Sequence, residues 1–203
     1  MNWMAALLPY FSVWIGLYIL HSGWCALLLY HVGIIAFLIA RRRRGVWQKI
    51  GRGAFGPILV PGVLACALAA PILYFMWPLF AVESPLLSDW LASYGLTGWA
   101  WGLLIPYFSV VHPLLEELHW REIAPERVRA LCAQDLLFAG YHVLVLFQLV
   151  RAPWLVLVFA VLAASSFFWR WCAARFEGYA IPMATHAVAD AAVLGGVIWL
   201  LNS

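Results

Sequence analysis

Long apolar runs separated by short polar breaks dominate the chain, and their lengths set the first expectation. A helix needs about 20 apolar residues to cross the hydrocarbon core of a bilayer. Residues 3–40 hold too much apolar sequence for one span. The polar pause at His21-Ser22-Gly23 predicts a tight hairpin of two short helices, with one long tilted helix as the alternative. A third span fits about 57–80, where Pro61, Pro71 and Pro78 predict kinks or a broken helix. Three more fit about 97–116, 131–150 and 153–170. The last begins near Pro182, a favoured first-turn residue, and reaches about 200. The pattern predicts an all-α, polytopic transmembrane helix bundle of about seven spans, six being the alternative count. It forms a single integral membrane domain over 1–203.

Composition agrees and excludes the other classes. Hydrophobic residues make up 66% of the chain and charged residues 10%, against about 45–50% and 25% in soluble domains. Twelve Lys and Arg with nine Asp and Glu cannot cover a water-facing surface. A soluble enzyme, a disordered tail and a nucleic-acid binder are thereby ruled out. Cys25, Cys66, Cys132 and Cys172 form no CxxC pair and read as free thiols. The N-terminus lacks the marks of a cleavable signal, so the first apolar stretch is expected to stay as an anchor. The last residues, Leu200-Leu201-Asn202-Ser203, carry no prenylation cysteine.

The cations orient the bundle. Arg41, Arg42, Arg43, Arg44, Lys49 and Arg52 fall between spans two and three. Arg121, Arg127 and Arg129 fall between four and five, and Arg170 and Arg175 between six and seven. Threading the spans up and down puts these on one face and only Arg151 on the other. Cytoplasmic loops collect Lys and Arg, so that face is expected to be cytoplasmic, in a bacterial-type cytoplasmic membrane. The loop at 81–95, with Glu83 and Asp89 and no cation, then lies outside. Headgroup binding by the Arg41–Arg52 cluster is the less favoured reading.

Ionisable groups inside spans are costly and ask for a reason. Three clusters stand out: Glu116-Glu117-Leu118-His119-Trp120-Arg121 at the end of span four, Phe138 to His142 in span five, and His186 to Asp190 in span seven. Residues four apart share a helix face. Glu117 can therefore pair with Arg121, His186 shares a face with Asp190, and Phe138 shares one with His142. Glu116 is turned about 100° from Glu117 and can point toward spans five and seven. All three clusters lie toward the same membrane face and can meet at one depth. His21 and His31 read as interfacial or packing residues, and His119 as solvated near the loop. His112 can support Glu116 from one turn away, and Asp135 can support His142 or be solvated. The 13 tryptophans read mostly as interfacial belts and packing, and none is assigned to the site.

Taken together, Glu116-Glu117-x-x-x-Arg121, Phe138-x-x-x-His142 and His186-x-x-x-Asp190 resemble the three-part signature of the CPBP family. That family comprises the type II CAAX prenyl endopeptidases and bacteriocin-processing or abortive-infection-like membrane proteins. Order, spacing and placement on three separate spans make the combination specific. The resemblance covers about residues 97–200, the catalytic helices, and the first 96 residues add nothing diagnostic.

The resemblance implies an intramembrane endopeptidase acting near the cytoplasmic face on a membrane-associated protein or peptide. Glu116 is then the base that activates water, assisted by His142, with His186 and Asp190 stabilising the oxyanion. Glu117, Arg121 and Phe138 are supporting residues. The family pattern allows Asn or Asp at position 190. An ionised Asp repels an oxyanion, so Asp190 is protonated, orients His186, or ligates a metal. A metal-free glutamate mechanism, with no cofactor, is favoured over a zinc enzyme with His142, His186 and Asp190 as ligands. The competing readings are a non-catalytic immunity or assembly protein that retains the fold, and a small transporter, for which no internal repeat is found.

Overall fold

The computed structural model describes residues 2–41, 47–53, 56–124 and 128–203. The described residues form nine helices: α1 (Trp3–Ile19), α2 (Gly23–Ala40), α3 (Leu59–Ala67), α4 (Ala69–Phe80), α5 (Leu87–Ser93), α6 (Gly98–Ile123), α7 (Ala133–Leu146), α8 (Ala152–Arg175) and α9 (Ala180–Leu201). A short 3₁₀ turn covers Trp47–Lys49. No strand occurs among the described residues. The molecule is an all-α polytopic membrane bundle.

Seven apolar segments appear where seven were expected, but they differ in reach. Five are long enough to cross a bilayer alone: α2, α3–α4 together, α6, α8 and α9. The helices Trp3–Ile19 and Ala133–Leu146 are shorter. At 1.5 Å per residue, α7 covers only about 21 Å of a core about 30 Å thick.

The hairpin at the start is present. Ser22 caps α2, its Oγ accepting from the Cys25 N–H at 3.2 Å. Gly16 lets α1 and α2 touch, since a Cβ there would sit 2.2 Å from the Ala26 Cα. The third span breaks at Leu68, between α3 and α4. Pro71 explains this position, because it offers no N–H to the carbonyl of Ala67 and its ring crowds that carbonyl. Pro78 sits within α4 without ending it.

Two helices run past their expected ends. Span four continues to Ile123 and span six to Arg175. Arg121 and Arg170 terminate the apolar pattern but are paired inside the bundle, so the helices need not stop there. Arg170 corrects the loop assignment directly. It is 3% exposed, and its Nη2 lies 2.6 Å from Asp135 Oδ2. It ties α8 to α7 instead of marking a loop. Arg42, Arg43, Arg44 and Arg127 lie outside the described residues. The 81–95 loop holds an unforeseen helix, α5, whose Trp90 and Leu91 are buried in the main core.

Six packing relationships position the site. The helix α6 contacts α2 and α9, α7 contacts α1 and α8, and α9 also lies on α3 and α4. One carbonyl left over by a proline is part of this arrangement. Pro9 denies a helical donor to the carbonyl of Ala5, and His119 Nε2 donates to that carbonyl at 3.0 Å. His119 is fully buried and not solvated.

Candidate active site

The site is built on α6, at a point where the helix changes geometry. A π-turn covers Tyr107–Val111, and the α-helix resumes at His112. Such single-turn π-segments shift register by a fraction of a turn. From His112 to Ile123 nearly every side chain is buried, although the segment holds Glu116, Glu117, His119 and Arg121. A charge removed from water needs a partner for each polar atom.

Glu116 has its two oxygens in different surroundings. Oε1 accepts from the Tyr30 hydroxyl at 2.7 Å, the Tyr141 hydroxyl at 2.7 Å and the Trp120 indole N–H at 3.3 Å. Oε2 is buried without a direct hydrogen bond. Two imidazole nitrogens face it, His112 Nε2 at 3.5 Å and His186 Nε2 at 3.7 Å. One oxygen is held by three donors from α2, α6 and α7, while the other faces basic nitrogens at separations suited to a bridging water.

Glu117 points the other way. Its Oε2 pairs with Arg121 Nε at 3.0 Å, the expected i,i+4 bridge. Its Oε1 accepts from His186 Nδ1 at 3.1 Å. The second glutamate therefore does more than tether a helix end. A carboxylate already paired with a guanidinium is an acceptor, so it fixes Nδ1 as the donor and aims Nε2 at Glu116. Arg121 Nη1 continues to the Ser166 carbonyl at 3.2 Å, joining α6 to α8.

His186 lies in an aromatic slot. The ring of Trp169 stacks on it with centroids 4.1 Å apart and planes 17° from parallel. Phe138 meets it edge-on at 6.0 Å. Asp190, one turn along α9, brings Oδ1 to 3.6 Å from His186 Nε2, and its Oδ2 is buried without a partner. His142 donates from Nδ1 to the Phe138 carbonyl at 2.8 Å, leaving Nε2 available. It lies within electrostatic range of Glu116. Phe138, 4.9 Å from the His142 ring, is fully buried among Trp120, Tyr141 and Trp169 and walls the site.

All seven residues expected from the sequence are thus brought together. Asp135 is not among them. It is buried 3.0 Å from Ser166 Oγ and paired with Arg170, and supports the α7–α8 junction instead of His142. Tyr30, Tyr141, Trp120, Trp169 and His31 are additions, and two of them correct the expectation that no tryptophan belongs to the site. Tyr30 and His31 show that the N-terminal helices contribute to the site. The available signal was a Tyr-His pair inside an otherwise apolar span; intramembrane polar groups are functional by default.

A zinc site would need His142, His186 and Asp190 to converge. Among the described residues, no three His, Cys, Asp or Glu side chains are grouped to hold a metal ion. His186 Nδ1 is held by Glu117 and His142 Nδ1 by the Phe138 carbonyl, which directs each Nε2 elsewhere.

Comparison with known proteins agrees with the residues. Neither a curated protein nor a solved structure matches the chain. A family model does: that of type II CAAX prenyl endopeptidase Rce1-like proteins, over residues 98–192. The match starts with α6 and ends beyond Asp190, so it contains Glu116, Glu117, Arg121, Phe138, His142, His186 and Asp190. Over that stretch of helices, just under half of its length, the chain is similar to the type II CAAX prenyl endopeptidases of the Rce1-like family.

Proposed function

We propose that the protein is a glutamate-dependent intramembrane endopeptidase. It hydrolyses a peptide bond of a membrane-associated protein or peptide near the cytoplasmic face of a bacterial-type cytoplasmic membrane. The observation that carries this reading is the asymmetry of Glu116. Oε1 is occupied by three donors, and Oε2 is buried, unbonded and faced by His112 and His186.

In this reading a water sits at Oε2. Glu116 takes one proton from it as the oxygen attacks the scissile carbonyl carbon. The bond formed is C–O, and the carbonyl oxygen becomes an oxyanion. His186 acts as an imidazolium, with Nδ1–H held by Glu117 and Nε2–H donated to that oxyanion, and Asp190 in its acid form adds an O–H. His142 Nε2 helps to hold the water. The tetrahedral species then collapses with cleavage of C–N, and Glu116 returns the proton to the leaving nitrogen. Phe138, Trp120 and Trp169 keep bulk water and lipid from the charges.

The family match favours a prenylated C-terminal peptide as substrate; a leader peptide or a C-terminal sorting segment is the other choice. The test is Glu116→Gln in reconstituted membranes, with cleavage of candidate peptides followed by mass spectrometry. Gln keeps the acceptor for Tyr30 and Tyr141 but cannot take a proton. Loss of cleavage by at least about a hundredfold is expected; cleavage near the wild-type rate rejects the assigned base. A comparison of membrane-protein termini in cells with and without Glu116→Ala identifies the substrate.

A further inference from the structure

Behind Glu116 runs a second series of polar groups that the proposed chemistry does not use. Tyr107 Oη lies 2.8 Å from His31 Nδ1, and His31 Nε2 lies 3.0 Å from His112 Nδ1. His112 Nε2 then faces Glu116 Oε2 at 3.5 Å. Two buried histidines from different helices, His31 on α2 and His112 on α6, are hydrogen-bonded to each other, at 2% and 3% exposure. The ring of His112 is clamped by Phe108, stacked at 4.3 Å and 20°. Phe108 and Tyr107 both belong to the π-turn that resets α6 just before His112.

The geometry points to Tyr107, His31 and His112 as a positioning series that holds His112 as a hydrogen-bond donor toward the reacting oxygen of Glu116. This rests on Glu116 being the base. Proton order in such a series is linked from end to end, because each neutral imidazole has one N–H and one lone pair. An ionised Glu116 accepts, so His112 Nε2 is the donor and its Nδ1 the acceptor. His31 must then donate from Nε2 and accept at Nδ1, and Tyr107 supplies that proton. With His112 Nε2 as the donor toward Glu116, this arrangement gives the other ring nitrogens of the series matched partners. The partner of a catalytic histidine's other nitrogen sets its tautomer in the same way in many sites. Here the tautomer is set twice, through two rings.

Other groups also face Glu116. These are Tyr30 from α2, Trp120 on its own helix, Tyr141 and His142 from α7, and His186 and Asp190 from α9. None of them is replaced when the series is altered, so their chemistry is common to every variant.

The experiment measures kcat/KM against pH for Tyr107→Phe, His31→Gln, His112→Ala and His112→Gln in reconstituted membranes, with Glu116→Gln as reference. Tyr107→Phe removes a single oxygen remote from the reacting atoms and is the variant least able to disturb folding. The expected result is an acidic limb displaced to higher pH, by up to about one pH unit for His112→Ala and less for His31→Gln and Tyr107→Phe. Activity at neutral pH is expected to fall about tenfold in His112→Ala. His112→Gln, whose amide can still donate to Glu116, should recover part of it. His31→Gln combined with His112→Ala should add little to His112→Ala alone. If Glu116→Gln is inactive but all four pH profiles coincide with wild type, the two histidines only pack and the inference is overturned. If Glu116→Gln is itself active, the assigned base fails instead.

Discussion

Glu117 Oε1 lies 3.1 Å from His186 Nδ1, and this contact makes the second glutamate part of the site's alignment as well as of its architecture. The same carboxylate holds Arg121 at 3.0 Å through its other oxygen. Glu117→Gln should therefore damage stability and activity together. Breaking one side of a buried ion pair costs about 3–5 kcal/mol because the other charge is stranded. Thermal unfolding in detergent checks the first effect. Glu117→Gln with Arg121→Met removes both charges and should regain most of the stability without regaining peptide cleavage. Recovery of full cleavage in the double variant contradicts the alignment role.

Tyr30 and Tyr141 hold Glu116 from opposite helices, each at 2.7 Å. Hydrogen bonds to charged groups contribute about 1.5–3 kcal/mol. Tyr30→Phe and Tyr141→Phe are each expected to lower kcat/KM by about tenfold, with KM little changed. Because both act on one oxygen, the double variant should lose less than the product of the two. Steady-state kinetics on all three proteins test this.

Asp190 is the point at which charge matters most. If it assists as an acid, its O–H is present at low pH and lost as pH rises, and the carboxylate that replaces it repels the oxyanion. Asp190→Asn donates at every pH. The variant should stay within about threefold of wild type near neutrality and lose less activity on the alkaline side. A variant that is inactive at all pH values refutes the donor role.

His119 separates folding from chemistry. It lies three residues beyond Glu116, yet its hydrogen bond goes to the Ala5 carbonyl on α1. His119→Ala leaves that carbonyl unsatisfied, at a cost of about 1–3 kcal/mol. A lower melting temperature with kcat unchanged at a permissive temperature is the expected outcome.

Some of this was readable along the chain. Each apolar run reports what solvent its helix meets, so spans, hairpin and proline break follow from local composition. Spacing of four along a helix likewise puts Glu117 beside Arg121 and His186 beside Asp190. Helix ends were less legible, since Arg170 and Arg121 look like loop cations until their buried partners are seen. Asp135 shows the same limit. Its neighbour in space, Arg170, lies 35 residues away, and nothing local announces the pair.

By itself, then, the sequence determined a helical membrane bundle and the three clusters that carry chemistry, because hydropathy and helical periodicity are properties of neighbouring residues. The tertiary structure decided which oxygen of Glu116 is free, which histidine faces it and which helices hold it. Tyr30 reaches Glu116 across 86 positions of chain. Such a contact exists only because α2 packs on α6, and packing between distant helices depends on their joint surfaces. No single stretch of sequence encodes it.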